Sequence, residues 1–220
     1  MDLALVRLLQ LVSPSLPVGA FAYSQGLESA VTDSFVVDEA STQEWVGGVL
    51  HYAIKQLDLP MLKRLLEAFE QEDRAAIEKL NATVLAFRET SEIRAESVHL
   101  GRALKRLLSD LEFDVTQLPD AKLDWVTAFA YACYVKNIAA ENAMLGYAWS
   151  WCENQIAAAV KLVPLGQTQG QRILSRLGEE LPDVIAQASE VLSEDIGATA
   201  PNLAILSSQH ETQYSRLFRS

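Results

Sequence analysis

Ala143-Met-Leu-Gly-Tyr-Ala-Trp-Ser-Trp-Cys-Glu-Asn-Gln-Ile-Ala-Ala-Ala-Val-Lys-Leu-Val163 contains no proline, and its large apolar residues return every three or four positions. That spacing predicts a long α-helix, since a strand would alternate. Leu145, Ala148, Trp149, Cys152, Ile156, Ala159, Val160 and Val163 fall on one broad stripe, which is the expected core face. Tyr147, Ser150, Asn154 and Lys161 fall on the other side. Lys161 has only Ala157 and Ala158 one turn back, so no carboxylate of its own helix pairs with it there. That side reads either as a solvated face or as a surface where a partner comes close.

The same period extends outward in both directions. Leu5, Leu8, Leu9 and Val12 form a stripe that ends at Ser13-Pro-Ser-Leu-Pro-Val-Gly19, where two prolines and a glycine break regular structure. Ser41 with Glu44 resembles a capping box opening a helix with Trp45, Val49, Tyr52 and Leu59 on one face. Gly47 and Gly48 inside it each cost about 1 kcal/mol relative to alanine, which implies close helix approach or a local break. Leu62, Leu65, Leu66 and Phe69 follow Pro60, and Leu100, Leu104, Leu107, Leu108 and Leu111 make a later stripe. A loop around Pro119-Asp120 precedes Trp125, Ala128, Phe129 and Ala132. Ile173, Leu174, Leu177 and Leu181 form a helix, with Pro182 placed to start the next. The expectation is an all-α, single-domain bundle of about eight to ten helices spanning residues 1–220.

Composition narrows the function. Half of the 220 residues are apolar, enough for a substantial core. A formal net charge of -11 and a pI near 4.7 argue against nucleic-acid binding, which needs clustered Lys and Arg. Met1-Asp2-Leu3 lacks a basic leader, and no apolar run approaches a membrane span, so a cytoplasmic protein with no membrane contact is expected. Cys133 and Cys152 lie inside apolar helical patterns and read as buried, reduced thiols. Phosphate-binding glycine loops, metal-ligand spacings and a nucleophile elbow are all missing. His51, His99 and His210 stand apart and read as structural or surface histidines. The run Arg88, Glu89, Glu92, Arg94 and Glu96 reads as a solvent-facing charged surface. No catalytic residue, no cofactor and no metal site is expected.

The segment His210-Glu-Thr-Gln-Tyr-Ser-Arg-Leu-Phe-Arg-Ser220 is unlike an ordinary terminus, which tends to be small and polar. It carries two aromatics and two guanidiniums, side chains that dominate interface hot spots. It either folds back on its own core or docks into another protein.

Four blocks, taken together, resemble the UreF family of urease accessory proteins. They are Leu9-Gln-Leu-Val-Ser-Pro-Ser-Leu-Pro-Val-Gly-Ala-Phe-Ala-Tyr-Ser-Gln-Gly-Leu-Glu28, Asp58-Leu-Pro60, Lys161-Leu-Val-Pro-Leu-Gly-Gln167 and His210 to Ser220. The resemblance implies a homodimeric, non-catalytic scaffold that bridges the accessory protein UreD (also called UreH) to the GTPase UreG. Together they would insert nickel into the urease apoenzyme. It further implies that Tyr23, Ser24, Glu28 and Lys161 face the GTPase. His210, Glu211, Tyr214, Arg216, Leu217, Phe218 and Arg219 would form the tail, residues 210–220, that meets UreD. The alternative is a metallochaperone binding nickel itself through His210, His51 or a cysteine, although no donor spacing converges. Such a scaffold would need two separated surfaces more than a reactive group.

Overall fold

Pro60 has no backbone N–H, so a helix running through it must change its hydrogen-bond ladder. The computed structural model describes residues 3–197 and 200–220; the reading of Met1 and Asp2 lies outside them. The α-helices among the described residues are α1 (Leu3–Leu11), α2 (Leu27–Thr32), α3 (Glu39–Val49), α4 (Leu59–Glu70), α5 (Arg74–Ala86), α6 (Ser91–Asp110), α7 (Trp125–Val135), α8 (Ala140–Leu162), α9 (Gln167–Ser189) and α10 (Pro201–His210). The described residues contain no strand, so the fold is all-α. A π-helical run over Leu50–Asp58 joins α3 to α4, and Pro60 sits in the first turn of α4. The wider π turn resolves the ladder ahead of the proline. It also leaves Asp58 buried at the junction.

Side chains start several of the other helices. Asp73 accepts the Ala76 N–H at 3.0 Å, Thr90 the Ile93 N–H at 3.2 Å, and Asp124 the Val126 N–H at 2.8 Å. On α7, Val126 to Cys133 are buried without interruption, which makes it a central helix. It packs on α4 and α6, while α8 packs along α9 and also meets α4. Phe69 meets Tyr131 edge-on at 5.0 Å, and Phe129 meets Tyr147 at 5.3 Å. Both cysteines are free and buried, and burial pushes the Cys152 thiol up to about 12. No helix among the described residues is long and apolar enough to cross a membrane.

Several local expectations are corrected. On α8, Tyr147 is buried, whereas Leu145 and Trp149 are 40% and 36% exposed. The helix is covered on most of its circumference, and its many alanines carry little information about phase. On α1, Leu8 and Leu11 face the core, and Leu9 points outward. The capping box lies one turn earlier than expected: Asp38 caps α3, reciprocally with Ser41, and Glu44 takes no part. Tyr52 leaves the face of Val49 because the π run shifts the helical phase; it is exposed. Pro182 lies inside α9, which runs on through it. At Gly47 the nearest neighbour of an added Cβ is Leu177 at ordinary contact distance. At Gly48 there is nothing within 4 Å among the described residues. Close helix approach within the subunit therefore does not account for either glycine, and the π run begins two residues later.

Candidate functional site

The Pro/Gly-broken block after α1 ends in two successive left-handed residues, Gln25 (φ 51°) and Gly26 (φ 77°). At Gly26 an added Cβ would lie 3.3 Å from the Leu203 side chain and 3.4 Å from the Ser207 nitrogen, so α10 passes close by. This turn directs the N–H groups of Ser24 and Gln25 toward the end of the chain. Both donate to the Ser220 carbonyl oxygen, at 2.7 and 3.1 Å, and the Ser24 hydroxyl donates to it at 2.5 Å. Arg219 N–H donates to Ala22 O at 2.9 Å, completing a backbone clasp between the two segments.

Glu28, in the first turn of α2, is the hub. Its Oε1 accepts the Leu217 N–H at 2.7 Å and its Oε2 the Phe218 N–H at 2.9 Å. His210 Nε2 lies 3.2 Å from the same Oε2, and His210 Nδ1 lies 2.7 Å from Glu92 Oε2. The imidazole can donate to both carboxylates only when both ring nitrogens carry hydrogen. Arg216 donates to Glu92 Oε1 at 2.7 Å. Ser220 Oγ donates to Glu96 Oε2 at 2.8 Å, and Gln25 Nε2 donates to Glu96 Oε1 at 2.7 Å. Burial pushes the Glu96 carboxyl up to about 7, with those two hydrogen bonds pulling the other way. Trp151 Nε1 in turn donates to Gln25 Oε1 at 2.7 Å.

The tail thus has two faces. His210, Phe218 and Ser220 are buried, and the Lys161 ammonium lies 5.5 Å from the centroid of the Phe218 ring. Tyr214 and Leu217 face solvent, Tyr214 completely, and Arg219 is exposed. Glu211, also exposed, accepts from the Ser91 hydroxyl at 2.6 Å. Tyr23 is buried, its hydroxyl 3.4 Å from His99 Nδ1 and its carbonyl accepting from Asn154 at 3.3 Å. The expectation of two separated surfaces is therefore corrected. Tyr23, Ser24, Glu28 and Lys161 form one site with the tail.

The charge run is corrected as well. Arg88 is half-buried, its side chain 12% exposed, and donates to Asp58 Oδ1 at 2.8 Å and to both Asp124 oxygens at 3.1 and 3.2 Å. Tyr147 donates to Asp58 Oδ2 at 2.7 Å and Ser97 to Asp124 Oδ2 at 2.6 Å. Burial raises the Asp58 carboxyl, against the pull of Arg88. For Arg88, burial opposes the charge, but the two carboxylates outweigh it and keep the guanidinium protonated. This cluster ties the π junction to the start of α7, directly behind Glu96. Glu92 and Glu96 were readable in principle: stepping back by fours from Leu108, Leu104 and Leu100 along α6 reaches Glu96, which is buried, and then Glu92, which is half-buried.

A cavity of about 420 Å³ opens beside the clasp, with Gln25, Glu96, Trp125, Trp151 and Lys161 in its wall. Among the described residues, no three His, Cys, Asp or Glu side chains are arranged to hold a metal ion. The arrangement presents hydrogen-bonded surface and charge.

The UreF family model matches residues 36–178. A protein of Marinomonas sp. (strain MWYL1), called urease accessory protein UreF, is 45% identical over all of this chain and 95% of its own length. One of the same description from Teredinibacter turnerae is 46% identical over the whole of both chains. Another, from Marinobacter nauticus, is 46% identical over all of this chain and 95% of its own. These relatives extend the match across both halves of the clasp, which lie outside residues 36–178, and the chain belongs to the UreF family of urease accessory proteins.

Proposed function

We propose that the chain is a non-catalytic cytoplasmic scaffold in urease maturation. It would hold UreD (UreH) through its tail and the GTPase UreG through Tyr23, Ser24, Glu28 and Lys161. The nickel is cargo, delivered to the urease apoenzyme by the assembled complex. One observation carries this reading: Glu28 is bonded to the backbone of Leu217 and Phe218, while Tyr214, Leu217 and Arg219 remain exposed. A partner that grips the outer face of the tail thereby biases the inner face, and a ligand shifts an equilibrium only through such differential contact. The two binding events are then coupled, and the coupling is reciprocal.

A homodimer is part of the same proposal. Leu145 and Trp149 of α8 are exposed, as are Val6 and Leu9 of α1, which packs on α8. Exposed apolar side chains of this size are what an interface would cover, and these four are its proposed contacts.

The test is a pull-down with the full chain and with a chain lacking residues 210–220, against UreD and UreG separately. The scaffold reading expects the truncation to lose UreD while its far-UV circular dichroism stays helical. Retention of UreD at unchanged affinity would remove the tail from the interface.

A further inference from the structure

We propose that the cavity beside the clasp receives an arginine side chain of a partner, paired there with Glu153. Lys161, further along the same wall, meets an acidic side chain of that partner. The cavity, about 420 Å³, falls in the size range of ligand pockets, roughly 300–1,000 Å³. Its wall runs from buried residues, Glu96, Tyr147 and Trp151, to exposed ones, Pro14, Phe21 and Lys161, so it joins the interior to the surface. The Pro/Gly-broken block forms one side, and α8 with the start of α9 forms the other.

Charge and shape select the occupant. Among the described residues, the charged side chains in the wall are Glu96, Glu153 and Lys161. Both Glu96 oxygens already accept, from Gln25 and Ser220. Glu153 is half-buried and has no ion-pair or hydrogen-bond partner among the described residues. Burial raises its carboxyl and nothing opposes the rise, so it lacks the counter-charge that a desolvated carboxylate needs. The formal net charge of -11 adds to the attraction of a cation. Phe21, Trp125, Tyr147 and Trp151 put aromatic side chains in the same wall, and Leu100, Ile156 and Leu174 add apolar surface. A guanidinium on a methylene stem fits that combination. It stacks on aromatic rings, takes a carboxylate through two parallel N–H bonds, and is more weakly hydrated than an ammonium.

Position selects the source. Glu153, Ala157 and Lys161 lie four residues apart in one row of α8, which sets the two charges about 12 Å apart along the helix axis. A partner that offers arginine to Glu153 and a carboxylate to Lys161 is held in one orientation, and the reversed approach meets two like-charge pairs. A free guanidinium compound uses only the Glu153 end of that row. The choice of a partner's side chain rests on the scaffold reading, in which Lys161 faces the GTPase; the guanidinium site itself does not.

The test is a titration of the full chain with N-ethylguanidinium, followed by the resonance of the Trp151 indole N–H that donates to Gln25, with ethylammonium as the comparison. Alongside it, GTPase capture is measured in Glu153→Gln and Lys161→Ala. The expected result is a saturable shift with ethylguanidinium and weaker binding of ethylammonium. Glu153→Gln should lose about tenfold in ethylguanidinium affinity and about tenfold in GTPase capture. No saturation, equal binding of the two cations, or unchanged affinity in Glu153→Gln overturns the site and leaves the scaffold reading standing. If ethylguanidinium binds as expected, and Lys161→Ala weakens capture while Glu153→Gln does not, the occupant is a free guanidinium compound and the partner's arginine is overturned. If neither variant weakens capture, the GTPase face of the scaffold reading fails and the partner's arginine with it.

Discussion

Glu28 Oε2 accepts the Phe218 backbone N–H at 2.9 Å, across 190 residues of sequence. Together with the Leu217 N–H on Oε1, it makes one carboxylate the acceptor for the backbone of the docked tail. Hydrogen bonds to a charged acceptor contribute about 1.5–3 kcal/mol each. Glu28→Ala removes the acceptor, but the tail can leave for water instead of burying orphan donors. The expected outcome is a tail cut readily by trypsin after Arg216, with helical circular dichroism intact. A tail that stays protected in this variant would show that the Ser24 and Gln25 contacts suffice without Glu28.

Arg88 behaves differently, because nothing around it can move into solvent. Its side chain is 12% exposed, and its partners Asp58 and Asp124 are 5% and 0% exposed. Arg88→Ala leaves two carboxylates buried without a cation, a loss of about 3–5 kcal/mol. Part of it should return as the pH is lowered. Burial already raises the Asp58 carboxyl, and with Arg88 gone the Tyr147 hydrogen bond is left to oppose that rise without a cation, so the variant's folded state takes up a proton that the unfolded chain releases. Urea unfolding of the variant at neutral pH and near pH 5 measures both parts. Equal deficits at the two pH values would argue that the loss is packing and not charge.

How much of this was legible follows from what each residue type reports. The helical period and the buried stripes Leu62, Leu65, Leu66, Phe69 and Ile173, Leu174, Leu177, Leu181 were readable, because leucine and phenylalanine are buried for their own sake. The phase of α8 was not, since alanine is tolerated on either face and Tyr147 is buried for its bond to Asp58. The tail was conspicuous by composition, yet its seat was not, because Glu28, Glu92 and Glu96 come from two helices, and the last two read as surface charge while Glu28 read as facing a partner. Only the fold brings them to one place.

The glycines separate close approach from open surface. At Gly101 an added Cβ would lie 2.3 Å from the Leu123 carbonyl oxygen, which is backbone and cannot swing aside. Gly101→Ala should therefore destabilise by about 1–3 kcal/mol or more, the range of overpacked cores. Gly48→Ala meets nothing within 4 Å among the described residues and should stabilise the isolated chain by roughly 0.5–1 kcal/mol through helix propensity. Thermal unfolding of the two variants side by side checks both signs.

Trp149 tests the proposed dimer. It is 36% exposed, and its ring closes over the backbone of α9, where a Cβ on Gly178 would come within 3.2 Å of it. Trp149→Glu places a charge on that face without opening the core. Light scattering after size exclusion should report a folded species of half the mass of the unmodified protein. An unchanged mass would move the interface elsewhere.

Lys161 and Phe218 allow the two roles of the site to be told apart. A cation over an aromatic ring at an exposed position contributes about 0.5–1 kcal/mol, so Lys161→Ala should lower tail protection by roughly two- to fivefold. Phe218→Ala removes a buried aromatic side chain, with a loss of about 3–5 kcal/mol, and should undock the tail outright. If Lys161 served only to hold the tail, urease activation in cells would fall in Lys161→Ala no further than protection does. The scaffold reading expects more. Activation should drop well beyond fivefold while the tail stays largely docked, because the ammonium is exposed and available to a partner. Activation that tracks tail protection across both variants would reduce Lys161 to a support for Phe218.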